Sequence, residues 1–257
     1  MLYRPYRKLR YEIRCIASLH PLLYDRLARL KEGDADGPTR VTRHTGLVIE
    51  AFPRSGNTFA YFAFQSSQPE CVRVAHHLHA PAQLVRAAHW GIPALLIVRD
   101  PLDAVCSFVQ REPVVSLRQG LRSWIRFHRS LVRHRHHFVV ATFDQAMTDF
   151  GSVMRRVNRR FATTFGVFEH DSGNTAAWFR AIDERNTRLS GGVAPDESGV
   201  ARPSAVRNAA KAVLKAALAV DALATLREEA SCLYHDYAAQ AGEDAGIAQT
   251  PGVDARR

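Results

Sequence analysis

Arg54 stands two residues before Gly56 in the run Ala51-Phe52-Pro53-Arg54-Ser55-Gly56-Asn57-Thr58, directly after the apolar stretch 46–50. A strand that empties into a short loop of small residues and then a helix presents a fan of backbone N–H groups. With the positive end of the helix dipole behind it, that fan seats a phosphate or sulfate group. Arg54, Ser55, Gly56, Asn57 and Thr58 are therefore candidate anion-binding residues. The loop is close to a Walker A sequence, but Asn57 occupies the place of the lysine that reaches the β- and γ-phosphates of ATP. The chemistry it suits is an anion held by Arg54 and backbone amides, not a nucleoside triphosphate bound in the usual way.

Two further clusters follow. In Ile97-Val98-Arg99-Asp100-Pro101-Leu102-Asp103-Ala104-Val105-Cys106-Ser107, Arg99 ends a strand, Asp100 can cap the next helix, and Pro101 suits its first turn. Arg99 and Ser107, the latter about two turns into the helix, can together grip one phosphate. In Ala75-His76-His77-Leu78-His79-Ala80-Pro81, a histidine at a strand edge is a plausible general base because its pKa lies near neutral. His79 is the first choice and His77 the second. If residues 76–79 are extended, His77 and His79 point to the same side. His76, His77 and His79 as zinc ligands is a further reading, though no nearby Cys or carboxylate completes a site.

Strands are expected at 46–52, 71–75, 94–98 and 138–142, and helices at 58–65, 81–88, 101–110, 116–134 and 151–161. Near-continuous apolar strands alternating with helices predict an α/β fold, a parallel sheet covered by helices on both faces. In the long helix Leu117, Leu121, Trp124, Ile125, Leu131 and Val132 form a core face, and the histidines from His128 to His137 read as a solvated face and loop. Residues 1–40 are a basic helical arm in which Leu9, Ile13, Ile16, Leu19, Leu23, Leu27 and Leu30 recur at helical spacing. It reads as a helix packed on the domain or as a membrane-surface helix drawn to anionic lipid. Residues 41–241 form the main domain, with a Gly- and Pro-rich, lid-like loop at 190–204. Residues 206–239 are helical, as two helices or one bent near Val220-Asp221, and 242–257 read as a disordered tail.

The chain has 257 residues, 46% of them hydrophobic, and a net charge of +10, which calls for an anionic partner. The basic residues are almost all arginine, a bias that partly reflects codon composition, so charge alone does not indicate nucleic acid. Cys15, Cys71, Cys106 and Cys232 lack C-x-x-C spacing and read as reduced thiols, mostly buried. Neither a membrane span nor a secretory signal pattern is visible, which leads to the expectation of a cytoplasmic protein, at most peripheral to a membrane.

With these residues in view, the chain resembles the sulfotransferases that use 3′-phosphoadenosine 5′-phosphosulfate (3′-phosphoadenylyl sulfate, PAPS). Their aromatic–Pro–(Lys/Arg)–Ser–Gly–x–Thr loop is matched by Phe52 to Thr58, and their second motif by Arg99, Pro101, Asp103 and Ser107. Their His-x-Pro segment is matched by His79-Ala80-Pro81, and Phe143-Asp144 resembles their Tyr-Glu-Asp. The likeness spans roughly residues 46–165. It implies a P-loop NTPase-like sulfotransferase core, with PAPS as co-substrate and no metal. Arg54 and residues 55–58 would hold the 5′-phosphosulfate, Arg99 and Ser107 the 3′-phosphate, and His79 would act as base. The acceptor would be a small molecule, glycan or lipid. Two family features are missing: His77 stands where cytosolic relatives carry Lys, and their C-terminal Arg-Lys-Gly has no counterpart. Arg202, Arg207 or Lys211 can substitute. The rival readings are a P-loop kinase or ATPase, which needs a lysine after Gly56 and an acidic strand end, and a non-catalytic nucleotide-binding or basic nucleic-acid-binding protein.

Overall fold

Runs of leucine, isoleucine, valine and alanine form four strands in the computed structural model, which describes residues 3–29, 40–170 and 205–246 together with Glu184 and Thr187. The strands are β1 (Leu47–Ala51), β2 (Val74–His76), β3 (Ala94–Val98) and β4 (Val139–Thr142). All pairings are parallel, in the order β2-β1-β3-β4. Along each strand alternate side chains enter opposite cores, as the period of two requires. Leu47, Ile49, Leu95, Ile97 and Val139 face one core; Val48, Leu96, Val98 and Val140 face the other. The expected α/β class, a parallel sheet flanked by helices on both faces, is what the chain adopts.

After β1 comes α3 (Asn57–Ser66), which with α7 (Phe143–Thr148) and α8 (Phe150–Phe161) covers the first core. The second is covered by α4 (Pro81–Trp90), α5 (Pro101–Arg111), α6 (Leu117–Leu131), α9 (Ala205–Leu218) and α10 (Ala224–Gly246). Two N-terminal helices, α1 (Tyr3–Ala17) and α2 (Pro21–Arg29), complete the chain. The starts are locally encoded. Pro101 opens α5 behind the Asp100 cap, and Ser116/Gln119 and Thr142/Gln145 form reciprocal capping boxes on α6 and α7. Because α3 and α5 leave β1 and β3 toward opposite faces, the crevice between the carboxyl ends of those two strands is the topological switch point, where such sheets bind ligands.

Several expectations change. The 206–239 segment is two helices with a break at Ala219-Val220 and a short 3-10 turn after it, and the second runs to Gly246, past the expected end of order at Gly242. The 190–204 loop and residues 247–257 lie outside the described residues. The cysteines are free, but only Cys106 is buried, while Cys71 and Cys232 are exposed. Among the described residues no helix is long and apolar enough to cross a membrane. Arg156, in α8, is buried and donates to the carbonyls of Val140 (3.1 Å) and Ala241 (2.9 Å), tying β4 to α10.

His128 is not on a solvated face. It lies four residues after Trp124 on the same apolar seam and is fully buried, its ring tilted 33° against Trp124 with centroids 3.8 Å apart and Nδ1 donating to the Trp124 carbonyl. Burial pushes its pKa down to about 3. The unfolded chain therefore takes up a proton below the ordinary histidine pKa that the folded chain refuses, so stability falls as pH drops from about 6.5 toward 3. His128→Phe, among Trp124, Phe127, Phe52 and Tyr237, is expected to flatten that acid decline. Urea melts near pH 5 and near pH 7.5 check it; an unchanged pH slope would contradict the assignment.

Candidate functional site

Gly56 caps α3 with φ 88°, a left-handed conformation open to glycine. A Cβ there would approach Met147 Cε and the Phe143 ring at 3.2 Å, so the turn is also closely packed. Arg54, two residues earlier, also adopts positive φ (67°). For a non-glycine residue this costs about 1–3 kcal/mol and persists only where the surroundings enforce it. The enforcement comes from the end of the neighbouring strand, where Arg99, directly after β3, donates from Nη1 to the Arg54 carbonyl at 2.7 Å. Arg54 Nε in turn donates to Ser107 Oγ at 3.2 Å. The loop after β1 and the Arg99/Ser107 pair after β3 thus meet at one point in the switch-point crevice.

Phe143 is the third wall: the Arg99 guanidinium lies over its ring at 4.2 Å. Ser55 Oγ and Arg99 Nε are buried there without a hydrogen-bond partner in the protein. Buried polar atoms are rarely left so, and both are donors suited to an anion.

Asn57 turns away from the crevice. Its amide reaches Glu50 at 3.5 Å, and the residue is buried, so the position of the Walker lysine points into the core. Glu50 is the residue that sequence reading missed. It sits mid-strand in β1, wholly buried, and accepts from Leu78 N (3.3 Å), His79 N (3.0 Å) and Gln83 Nε2 (3.2 Å). Burial pushes its pKa up to about 8, against the lowering effect of these hydrogen bonds. The available signal was a lone acid within an otherwise apolar strand enclosed on both faces.

The histidine segment is not extended, contrary to the expectation that put His77 and His79 on one side by strand alternation. β2 ends at His76, and His77 and His79 take positive φ (60° and 50°). Glu50, accepting the Leu78 and His79 amides, stabilises this bend. Their rings nevertheless come within 6.3 Å of one another. His77 is engaged at both nitrogens, Nδ1 by His76 and Nε2 by Thr58 Oγ1 at 2.8 Å. His79 Nδ1 donates to the Ala51 carbonyl at 2.8 Å, which leaves the lone pair on Nε2. Desolvation by burial pushes the His79 pKa down to about 4, with Arg14, Arg111 and Arg54 acting in the same direction. Among the described residues no group of three His, Cys, Asp or Glu side chains is placed to hold a metal ion.

On α9, Lys211 and Lys215 reach the Asp103 carboxylate at 2.8 and 2.6 Å, and Arg99 Nη2 stands 4.0 Å from its other oxygen. Burial raises the Asp103 pKa, but the hydrogen bonds and charges of the two lysines outweigh that and hold it below its usual value. Lys211, one of three candidates for the C-terminal cation, therefore lies in the same charge network as Arg99, joined by Lys215, which the sequence did not single out. Arg202 falls outside the described residues.

The structure thus brings together Arg54, Gly56, Arg99 and Ser107, with His79 and Thr58 linked to the same loop through Ala51 and His77. No family model matches this chain, and no curated protein matches it in sequence. Among solved structures, the crystal structure of mouse sulfotransferase SULT7A1 complexed with PAP aligns at 12% identity and a TM-score of 0.40, covering 74% of this chain and 90% of that one.

Proposed function

We propose that the chain is a PAPS-dependent sulfotransferase acting on a hydroxyl or amine acceptor. The observation that carries this reading is the Arg99–Arg54–Ser107 chain of contacts, which couples two anion-binding motifs at the mouth of adjacent parallel strands. A nucleotide bearing phosphate at both ends of its ribose suits two such motifs side by side. Asn57 buried against Glu50, and Arg99 in place of an acid directly after β3, both speak against the kinase or ATPase alternative.

In this reading Arg54 and the N–H groups of residues 55–58 stabilise negative charge building on the departing 5′-phosphate oxygen, and Thr58 Oγ1 adds a donor on exchanging its His77 contact. One such donor contributes about 3 kcal/mol to the rate. Arg99, Ser107 and Lys211 hold the 3′-phosphate and contribute orientation. His79 Nε2 takes the proton from the acceptor as its oxygen or nitrogen bonds to sulfur and the sulfur–phosphate oxygen bond breaks. PAPS supplies the sulfuryl group and the leaving phosphate.

Thermal-shift titration separates the readings. Adenosine 3′,5′-bisphosphate is expected to raise the melting temperature well above what adenosine 5′-monophosphate achieves at equal concentration. Ser107→Ala is expected to erase that preference. Equal shifts from the two nucleotides would remove the sulfotransferase reading.

A further inference from the structure

The periodicity of Leu9, Ile13 and Ile16 suggests a face that packs on the domain, yet the structure turns that face outward. Tyr6, Leu9, Ile13 and Ile16 share one side of α1 and are exposed, Leu9 to 61%; α2 adds Leu22, 80% exposed, and Leu23. These are six of the nine large apolar side chains exposed among the described residues. Single exposed leucines are ordinary, but a concentration of them marks a contact surface.

The opposite side of α1 is firmly anchored. Tyr11 packs on Phe108 at 5.7 Å, Glu12 pairs with Arg126 at 3.1 Å, and Arg7 with Glu112 at 3.6 Å. Ser18 O accepts from Ala82 N at 3.0 Å, and Pro21 O from Arg86 at 2.8 Å. The exposed stripe is therefore held in place by the fold. At 100° per residue, Arg10 and Arg14 flank it beside Tyr6 and Ile13, and both are exposed, as is Arg26 on α2.

We propose that the outward face of α1 and α2 docks on the surface of an anionic lipid bilayer, the apolar stripe entering the headgroup–acyl boundary and the arginines meeting lipid phosphates. Charge selects this occupant over a second copy. Two such faces brought together would oppose their own arginine flanks on a chain of net charge +10, whereas an anionic surface neutralises them. Docking rests on residues other than those assigned to the crevice reaction, although Arg14 is also one of the charges that lower the His79 pKa.

The test is co-sedimentation of the full chain with vesicles of phosphatidylcholine alone or mixed with phosphatidylserine. The chain is expected to partition onto the phosphatidylserine vesicles and to be released by salt. Arg10→Gln should weaken partitioning about fivefold. The exposed double substitution Leu9→Asp/Ile13→Asp should weaken it by at least roughly tenfold. Failure of the wild-type chain to sediment with anionic vesicles, or equal sedimentation of the double variant, overturns the proposal. So would a dimer in sedimentation velocity that the double variant dissolves, because the stripe would then belong to a second copy.

Discussion

Replacing His79 with alanine is expected to slow sulfuryl transfer by about 10²–10⁴-fold while leaving affinity for adenosine 3′,5′-bisphosphate unchanged. The ring's Nδ1 is committed to the Ala51 carbonyl, away from the groups assigned to the nucleotide phosphates. Its tautomer is thereby set, and Nε2 is the basic nitrogen. Burial holds its pKa near about 4, so the ring is neutral and able to accept a proton throughout the neutral range. Arg54 is one of the charges that lower that pKa, and an anion bound at Arg54 offsets it, moving the acid limb of the rate profile upward from about 4 toward the ordinary histidine value. The measurement is release of adenosine 3′,5′-bisphosphate from PAPS with an acceptor that supports turnover, followed across pH. Full activity in His79→Ala together with loss in His77→Ala would transfer the role to His77.

Glu50→Ala is expected to destabilise the fold by about 3 kcal/mol or more, and to lower turnover more than nucleotide affinity. The substitution removes the acceptor for the Leu78 and His79 amides and for Gln83, leaving buried donors unsatisfied. It also removes what stabilises positive φ at His77 and His79, so His79, the proposed base, is released from its position. A distinct signature comes from titration. The folded-state pKa of Glu50 is raised to about 8 from an ordinary value of 4.5, so the fold favours the protonated acid. Its contribution is complete below about 4.5 and is lost as pH rises through about 8. Asn57 Oδ1, buried and without a partner, can accept that proton once the amide rotates by half a turn. Glu50→Gln is thus expected to show a flatter loss of stability than wild type between about pH 5 and about pH 8. Parallel slopes in the two proteins would show that Glu50 does not titrate in this range.

The proposed function and the surface inference bear on different parts of the chain. One rests on groups at the carboxyl ends of β1 and β3, the other on the outer face of α1 and α2. Nucleotide titration and vesicle binding can therefore fail separately.

How much of this was legible beforehand depends on whether the signal is local. Gly56 and the small residues around it, Asp100-Pro101 before α5, and the apolar runs at 47–51 and 94–98 each determine their own conformation within a few residues. The strand–loop–helix units, their parallel arrangement and the tight turn before α3 could be read for that reason. His128 and Glu50 illustrate the opposite. A histidine in a basic, histidine-rich stretch was read as solvated, but its register on the α6 seam buries it. A lone acid in β1 drew no attention because its partners lie 28 to 33 residues away.

Sequence alone determined the strand–loop–helix units on which the candidate residues sit, because caps, turns and strand periods are written in neighbouring side chains. Only the tertiary structure decided that Arg54 meets Ser107 across 53 positions, that Glu50 stabilises the bend carrying His79, and that the apolar stripe of α1 faces outward. The physical reason is that periodicity defines a helix face but not what covers it, and long-range hydrogen bonds arise from packing that no local pattern contains.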